Sequence, residues 1–400
     1  VTVKLARRLS VIEPSPTLAV SAKAAKLKAQ GIDIISFGAG EPDFDTPAHI
    51  KEAGKKALDA GATKYTLVEG TVPLRKAVAG WIGKAHGITV DPSEVIVSSG
   101  AKQSIYNAVF ALIDEGDEVI IPTPAWVSYN DIVKLAGGRP VNVPTSADEN
   151  FQVRADDVAR AITPRTRMIL VCSPSNPTGA IYDEATLRAL AKLAVEKDVW
   201  LMTDDIYRTL VYGDGKVFQP ATIGPEVRAR TIIIDGVSKA FAMTGWRVGF
   251  TVAPKPVVEA MATLQGQSTT HAAAVAQAAA QVAIEGPTDE CEKMRVEFDR
   301  RRKVMVARLR EIPGVKCVEP KGAFYAFPDL SAFIGKKTPD GKTIETDAQL
   351  CEYLIEAARV AVVPGSAFHA PGFVRLSYAT SMKNVEEGVK RMAEALPKLS

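Results

Sequence analysis

The stretch TIIIDGVSKAFAMTGWRVGF, residues 231 to 250, decides how the chain is read. Its opening apolar run is short enough for one buried strand, and polar and glycine residues follow at once. Lys239 therefore sits in a loop leaving a sheet at the carboxyl end of a strand, where open α/β sheets hold their ligands. A lysine there can form an imine with a carbonyl compound, and Ser238 beside it and Arg247 eight residues on can hold a phosphate. A lone loop lysine is usually only solvated, so its meaning has to come from the rest of the chain.

Working outward, the runs VIVS (95 to 98), EVII (118 to 121), RMILVC (167 to 172) and VWLM (199 to 202) alternate with helical stretches. That pattern predicts an α/β fold on a mostly parallel sheet. After the first run, Ile105, Ala108, Val109 and Leu112 take helical spacing. The amides of Gly100, Ala101 and Lys102 open that helix, where unpaired N–H groups and the helix dipole favour a phosphate. The second run leads to PTPAWVSY, whose Trp126 can stack on a flat heteroaromatic ring, although a tryptophan is more often core. The third leads to SPSNPTG, a loop stiffened by Pro174 and Pro177, in which the Asn176 amide can donate to a phenolate oxygen and a carboxylate. Leu187, Leu190, Ala191 and Ala194 then return the chain to the fourth run, which ends in TDDIY. An acid pair at a strand end can cap a helix or bind a metal; no histidine accompanies this one, which speaks against metal.

These blocks, SKAFAMTGWRVG and SPSNPTG above all, resemble the class I aminotransferases of fold type I, which depend on pyridoxal phosphate, and in particular the bacterial aspartate/prephenate kind. The likeness runs from about residue 8 to about residue 396. It implies a large domain with a mostly parallel seven-stranded sheet between helices, and a smaller α+β domain built from both chain ends. On that reading residues 1–45 join the small domain, 46–290 form the cofactor domain and 291–400 complete the small one. It makes Lys239 the catalytic amine, Asp204 the partner of the pyridine nitrogen and Tyr207 a donor to the ring's phenolate oxygen. An anion beside that nitrogen favours its protonated form by roughly one to three pKa units, about 1.4 to 4 kcal/mol. Gly100, Ala101, Lys102, Ser238 and Arg247 fall to the phosphate, Trp126 and Asn176 to the ring and substrate, and the Gly40 amide and Arg375 to the substrate. A planar guanidinium suits a carboxylate because it makes two parallel hydrogen bonds. Tyr65, in KYTLVEG, matches a tyrosine that reaches across a dimer interface to the neighbouring subunit's phosphate, which implies a homodimer with shared sites.

The same resemblance implies ping-pong transfer of an amino group from an L-amino acid to 2-oxoglutarate. Lys102 and Thr17 match positions that read a second carboxylate, favouring aspartate as donor. Glu13 stands where relatives with prephenate activity carry a lysine, which favours an aromatic or neutral donor instead. Arg208 stands where relatives commonly carry an acid. A β-lyase would use the same lysine and aspartate; a non-catalytic regulator would carry a DNA-binding region, and nothing of that size precedes Pro14.

Composition sets the remaining limits. Four hundred residues exceed one compact core and suggest two domains with a cleft. Residues are 46% hydrophobic and 24% charged, the net charge is +3, and no basic tract argues for nucleic acid or membrane. Cys172, Cys291, Cys317 and Cys351 lack metal or disulfide spacing, VTVKLARRLS lacks a secretory core, and a cytoplasmic protein is expected. Residues 15 to 31 read as a helix capped by Ser15, a charged helix begins near residue 290, and Val385, Val389, Met392 and Leu396 form a closing amphipathic helix. KGAFYAF (321 to 327) and FVRLSYAT (373 to 380) read as strands, 336 to 347 as a surface loop, and His271 as structural.

Overall fold

Apolar runs become interior strands here because helices cover both faces of the sheet they form. The computed structural model describes residues 3–14 and 16–400. After the short β1 (Ile35–Ser36) come β2 (Val95–Ser98), β3 (Glu118–Thr123), β4 (Arg139–Pro144), β5 (Thr166–Cys172), β6 (Trp200–Asp204), β7 (Thr231–Gly236) and β8 (Gly249–Val252). These last seven make one sheet in the order β2-β8-β7-β6-β5-β3-β4. Only β8 opposes its neighbours, so the other six strands deliver their carboxyl ends to the same edge.

The five expected runs are all strands of this sheet, and β2, β3 and β7 are buried throughout. The expected boundaries stop short of the observed ends: β6 runs on to Asp204 and β7 to Gly236. Two strands of this sheet escaped the sequence reading. Edge strand β4, RPVNVP, is largely exposed and carries two prolines, which only an edge tolerates. Strand β8 returns antiparallel straight out of the lysine loop, and it needs Gly249 because a Cβ there would lie 2.1 Å from the Ala101 amide nitrogen.

The two ends of the chain meet beside this sheet. Strand β1 pairs parallel with β10 (Val360–Ala361), following β9 (Tyr325–Ala326) in the chain, while β11 (Val363–Pro364), β12 (Val374–Ser377) and β9 form an antiparallel trio. KGAFYAF and FVRLSYAT thus hold strands shorter than the stretches expected, and these pair with each other. The charged helix is Asp289–Arg310; Phe298, Met305 and Leu309 face the core, and buried Arg301 and Arg302 pair with Asp43 and Glu319 outside the helix. Helix Pro16–Ala29 occupies the expected place, though Ser15 lies outside the described residues. The closing helix Met382–Ala395 is capped by Ser381 and buries Val385, Val389 and Met392. Among the described residues no helix is long and apolar enough to cross a membrane.

Candidate active site

A cavity of about 490 Å³ opens where the strand ends converge, lined by Gly40, Ala101, Lys102, Trp126, Asn176, Asp204, Tyr207, Ser238, Lys239, Arg247 and Arg375. Most of the expected site residues therefore share one space. Lys239, half-buried just past β7, donates through Nζ to the Gly40 carbonyl at 2.5 Å. Desolvation, opposed by Glu41 and Asp204 and reinforced by Arg247 and Arg375, pulls its ammonium down to about 8, so roughly a tenth is free amine at pH 7, far more than for an ordinary lysine. Gly40 thus presents its carbonyl to the lysine, a contact that the expected role of its amide did not include.

Asp204 closes β6 and is buried. One carboxylate oxygen accepts from the Tyr129 hydroxyl at 2.6 Å and the other from the Ile206 amide at 3.2 Å. Burial pushes it up to about 6 against those two hydrogen bonds, leaving it mainly ionised at neutral pH. Trp126 lies edge-on to Tyr129, ring centroids 5.3 Å apart, and the Lys102 ammonium sits 4.8 Å from the Trp126 ring centroid. The Tyr207 and Tyr325 hydroxyls are 2.7 Å apart.

Arg375, in β12, is buried, and its guanidinium lies against the Tyr325 and Phe368 rings. Nη1 donates to Asn176 Oδ1 at 2.9 Å and Nη2 to the Gly38 carbonyl at 2.8 Å, while Nε is buried without a partner among the described residues. A guanidinium held in this way by neutral acceptors is an open anion site, since burying the charge is costly until a carboxylate arrives. The bond also commits Asn176 Oδ1 and keeps Nδ2 as the donating end.

Helix Ala101–Leu112 begins at Gly100 with no side-chain cap. Gly100 has φ +93°, and a Cβ on it would meet Arg247 Nη2 at 2.3 Å, so only glycine lets the guanidinium lie against the helix start. Arg247, itself left-handed, donates to the carbonyls of Thr244 and Ser99. The Gly100 amide, expected to face a phosphate, instead donates to the Ser98 carbonyl at 2.7 Å, whereas the Ala101 and Lys102 amides, the Arg247 guanidinium and the Ser238 hydroxyl make a cradle for a phosphate, and Trp126 and Asp204 suit the face and ring nitrogen of a flat heterocycle. The residues present therefore fit a phosphorylated pyridine.

Some expected residues are not gathered here. Tyr65 is 89% exposed and lines a separate concave surface with Lys64 and His271. Glu13 is exposed, does not line the cavity, and its charge acts on Asp131 instead. Arg208 is explained: its Nε donates to buried Asp235 at 2.6 Å, and the guanidinium covers the Trp81 ring. Tyr129 and Tyr325 were missed. Tyr129 stands one helical turn after Trp126, the signal that could have found it.

Residues 32–392 match the family described as aminotransferase class I and II. The chain is 47% identical to the aspartate/prephenate aminotransferase of Nitrosomonas europaea over 98% of this chain and all of that protein. Its fold superposes on the crystal structure of the aspartate aminotransferase from Rhizobium meliloti with a TM-score of 0.96, at 44% identity and full coverage of both chains. The aspartate aminotransferase from Thermus thermophilus with maleate gives a TM-score of 0.92 at 44% identity, covering 98% of this chain and 100% of that one.

Proposed function

Because the chain belongs to the class I and II aminotransferases, we propose that it holds pyridoxal 5′-phosphate at Lys239 and moves the amino group of aspartate to 2-oxoglutarate. The supporting observation is that one cavity contains an amine of lowered pKa and a buried guanidinium whose Nε lacks a partner. When bound, the cofactor supplies a carbonyl carbon open to amines and a ring that accepts electrons.

The chain's own residues do the rest. Asp204, held by Tyr129 and the Ile206 amide, keeps a proton on the ring nitrogen. The Ala101 and Lys102 amides, Ser238 and Arg247 would hold the phosphate, Trp126 would cover the ring, and Tyr207 and Asn176 Nδ2 would donate to the ring oxygen. Arg375, which lines the cavity, orients the substrate by its α-carboxylate. Freed Lys239 removes the proton from the substrate Cα and returns one, an exchange suited to an amine that titrates near 8. Lys102 and Thr17 line the same cavity and suit a second carboxylate, and maleate, named with the Thermus thermophilus relative, carries two.

Tyr65, exposed on one chain, reaches the phosphate of a second copy in a homodimer with shared sites. Residues 1–45 and 291–400 form a small domain against the cofactor domain 46–290, consistent with the pairing of β1 with β10, and the protein works in the cytoplasm. Reconstitution with pyridoxal 5′-phosphate should give a coloured protein, and initial rates with aspartate and 2-oxoglutarate should plot as parallel lines. A colourless product sinks the cofactor reading. Turnover with other amino acids but not with aspartate sinks only the donor, and retained turnover in Lys239→Ala removes its role.

A further inference from the structure

His271 was expected to be merely structural, yet its bonds are specific. The Thr66 amide donates to His271 Nε2 at 3.3 Å, so the ring proton lies on Nδ1, which donates to the Ala272 carbonyl at 2.7 Å. The imidazole meets the Tyr65 ring edge-on at 89°, centroids 5.8 Å apart. Tyr65 is otherwise surrounded by solvent, so this ring and the tethered amide next to it are what restrain it.

The segment that presents His271 is itself tied down. Thr270 adopts φ +63°, an uncommon conformation for a β-branched residue and one that persists only where the surroundings enforce it. Its amide donates to the Gln265 carbonyl, and Gln277 donates to both Thr66 Oγ1 and the Ala272 carbonyl. Gln103 bridges to this segment: its Nε2 donates to Thr269 Oγ1 at 2.6 Å, and its Oε1 accepts from the Ser99 amide beside the phosphate cradle. An exposed aromatic side chain loses rotamer freedom when it docks, and an edge contact with a tethered ring such as His271 would lower that cost before a second subunit arrives.

We propose that His271 is a positioning residue that holds Tyr65 in the pose received by the second subunit's phosphate site. This rests on the reading of Tyr65 as a donor to that site, and it adds the residue that prepares it.

The test is a titration of the apo-dimer with pyridoxal 5′-phosphate, followed by absorbance, in wild type, Tyr65→Phe, His271→Ala, His271→Gln and the double variant Tyr65→Phe/His271→Ala. Loss of one hydrogen bond to the phosphate should weaken binding about 10-fold in Tyr65→Phe. His271→Ala should weaken it about 5-fold, and the double variant should bind no more weakly than Tyr65→Phe alone. In His271→Gln, Oε1 can stand in for Nε2 as the acceptor for Thr66, so affinity should return to within about 2-fold of wild type. Unchanged affinity in Tyr65→Phe would refute the reading of Tyr65 itself. A weakened Tyr65→Phe with an unaffected His271→Ala, or fully additive losses, would overturn the role of His271. Should His271→Ala fail to assemble, His271→Phe, which keeps the ring but has no acceptor, takes its place; affinity equal to that of His271→Gln would then overturn the proposal.

Discussion

The two ends of the central sheet treat buried acids in opposite ways. At the start of β3, Glu118 has no exposed surface, yet Thr163, Arg139 and Arg165 all bond its carboxylate. Burial alone would raise its pKa; the hydrogen bonds from those residues outweigh burial and hold the carboxyl below its usual range. At the carboxyl ends of β6 and β7, Asp204, Asp205 and Asp235 are also buried, but the Arg208 guanidinium bonds Asp235 and neither of the other two. Burial there pushes Asp204 up to about 6 and Asp205 to about 7. Fully partnered acids stabilise a fold, whereas under-partnered ones remain titratable, and of these three Asp204 lines the cavity while Asp205 and Asp235 do not.

The comparison can be broken most visibly at Asp204. Asp204→Asn should lower kcat by roughly 10² to 10³, the scale of losing one preorganised electrostatic contact, without lowering the melting temperature. Lys239 belongs to the same edge. If its ammonium titrates at about 8, the rate of reconstitution with pyridoxal 5′-phosphate should rise about 50-fold from pH 6 to pH 8 and then level off, as followed by stopped-flow absorbance. A flat profile would contradict the lowered pKa.

At the opposite end, Glu118→Gln should cost about 1 to 3 kcal/mol, because it weakens a buried network whose arginines are largely solvated, and it should leave kcat of the folded enzyme unchanged. Since the Glu118 pKa is depressed, its contribution is present above the usual value of 4.5 and is lost as pH falls further. The melting-temperature deficit of Glu118→Gln should therefore shrink in acid.

Asp205 has the reverse sign. Its pKa is raised from 3.8 to about 7, so its favourable contribution is complete below 3.8 and is lost as pH rises through 7. Asp205→Asn, which can still bond Gln219, should be more stable than wild type by on the order of 1 to 2 kcal/mol at pH 8, and that advantage should shrink steadily as the pH is lowered from 7 toward 3.8. His86, 4.0 Å from Asp205, does not rescue the charge, because burial and Arg208 push its own pKa down to about 4 and keep it neutral.

How much of this could be read from the chain differs element by element. Strands β2, β3, β5, β6 and β7 were legible because burial on both faces leaves a continuous apolar run. Strand β4 was not, since an edge strand needs no such run. The ends of the five legible strands and the segments that follow them supplied Ala101, Trp126, Asn176, Asp204 and Lys239, and all of these line the cavity. The Tyr129 bond to Asp204 joins residues 75 positions apart, and the Arg208 pair with Asp235 spans 27; both depend on which strands lie side by side.

By itself the sequence determined the alternation of strands and helices, the chemical types at each strand end and the family, because those are properties of local pattern. Tertiary structure alone decided the charge state of the acids and of Lys239, the unpaired Nε of Arg375 and the tether between His271 and Thr66. These depend on desolvation and on contacts between distant segments, neither of which has a local signature in the chain.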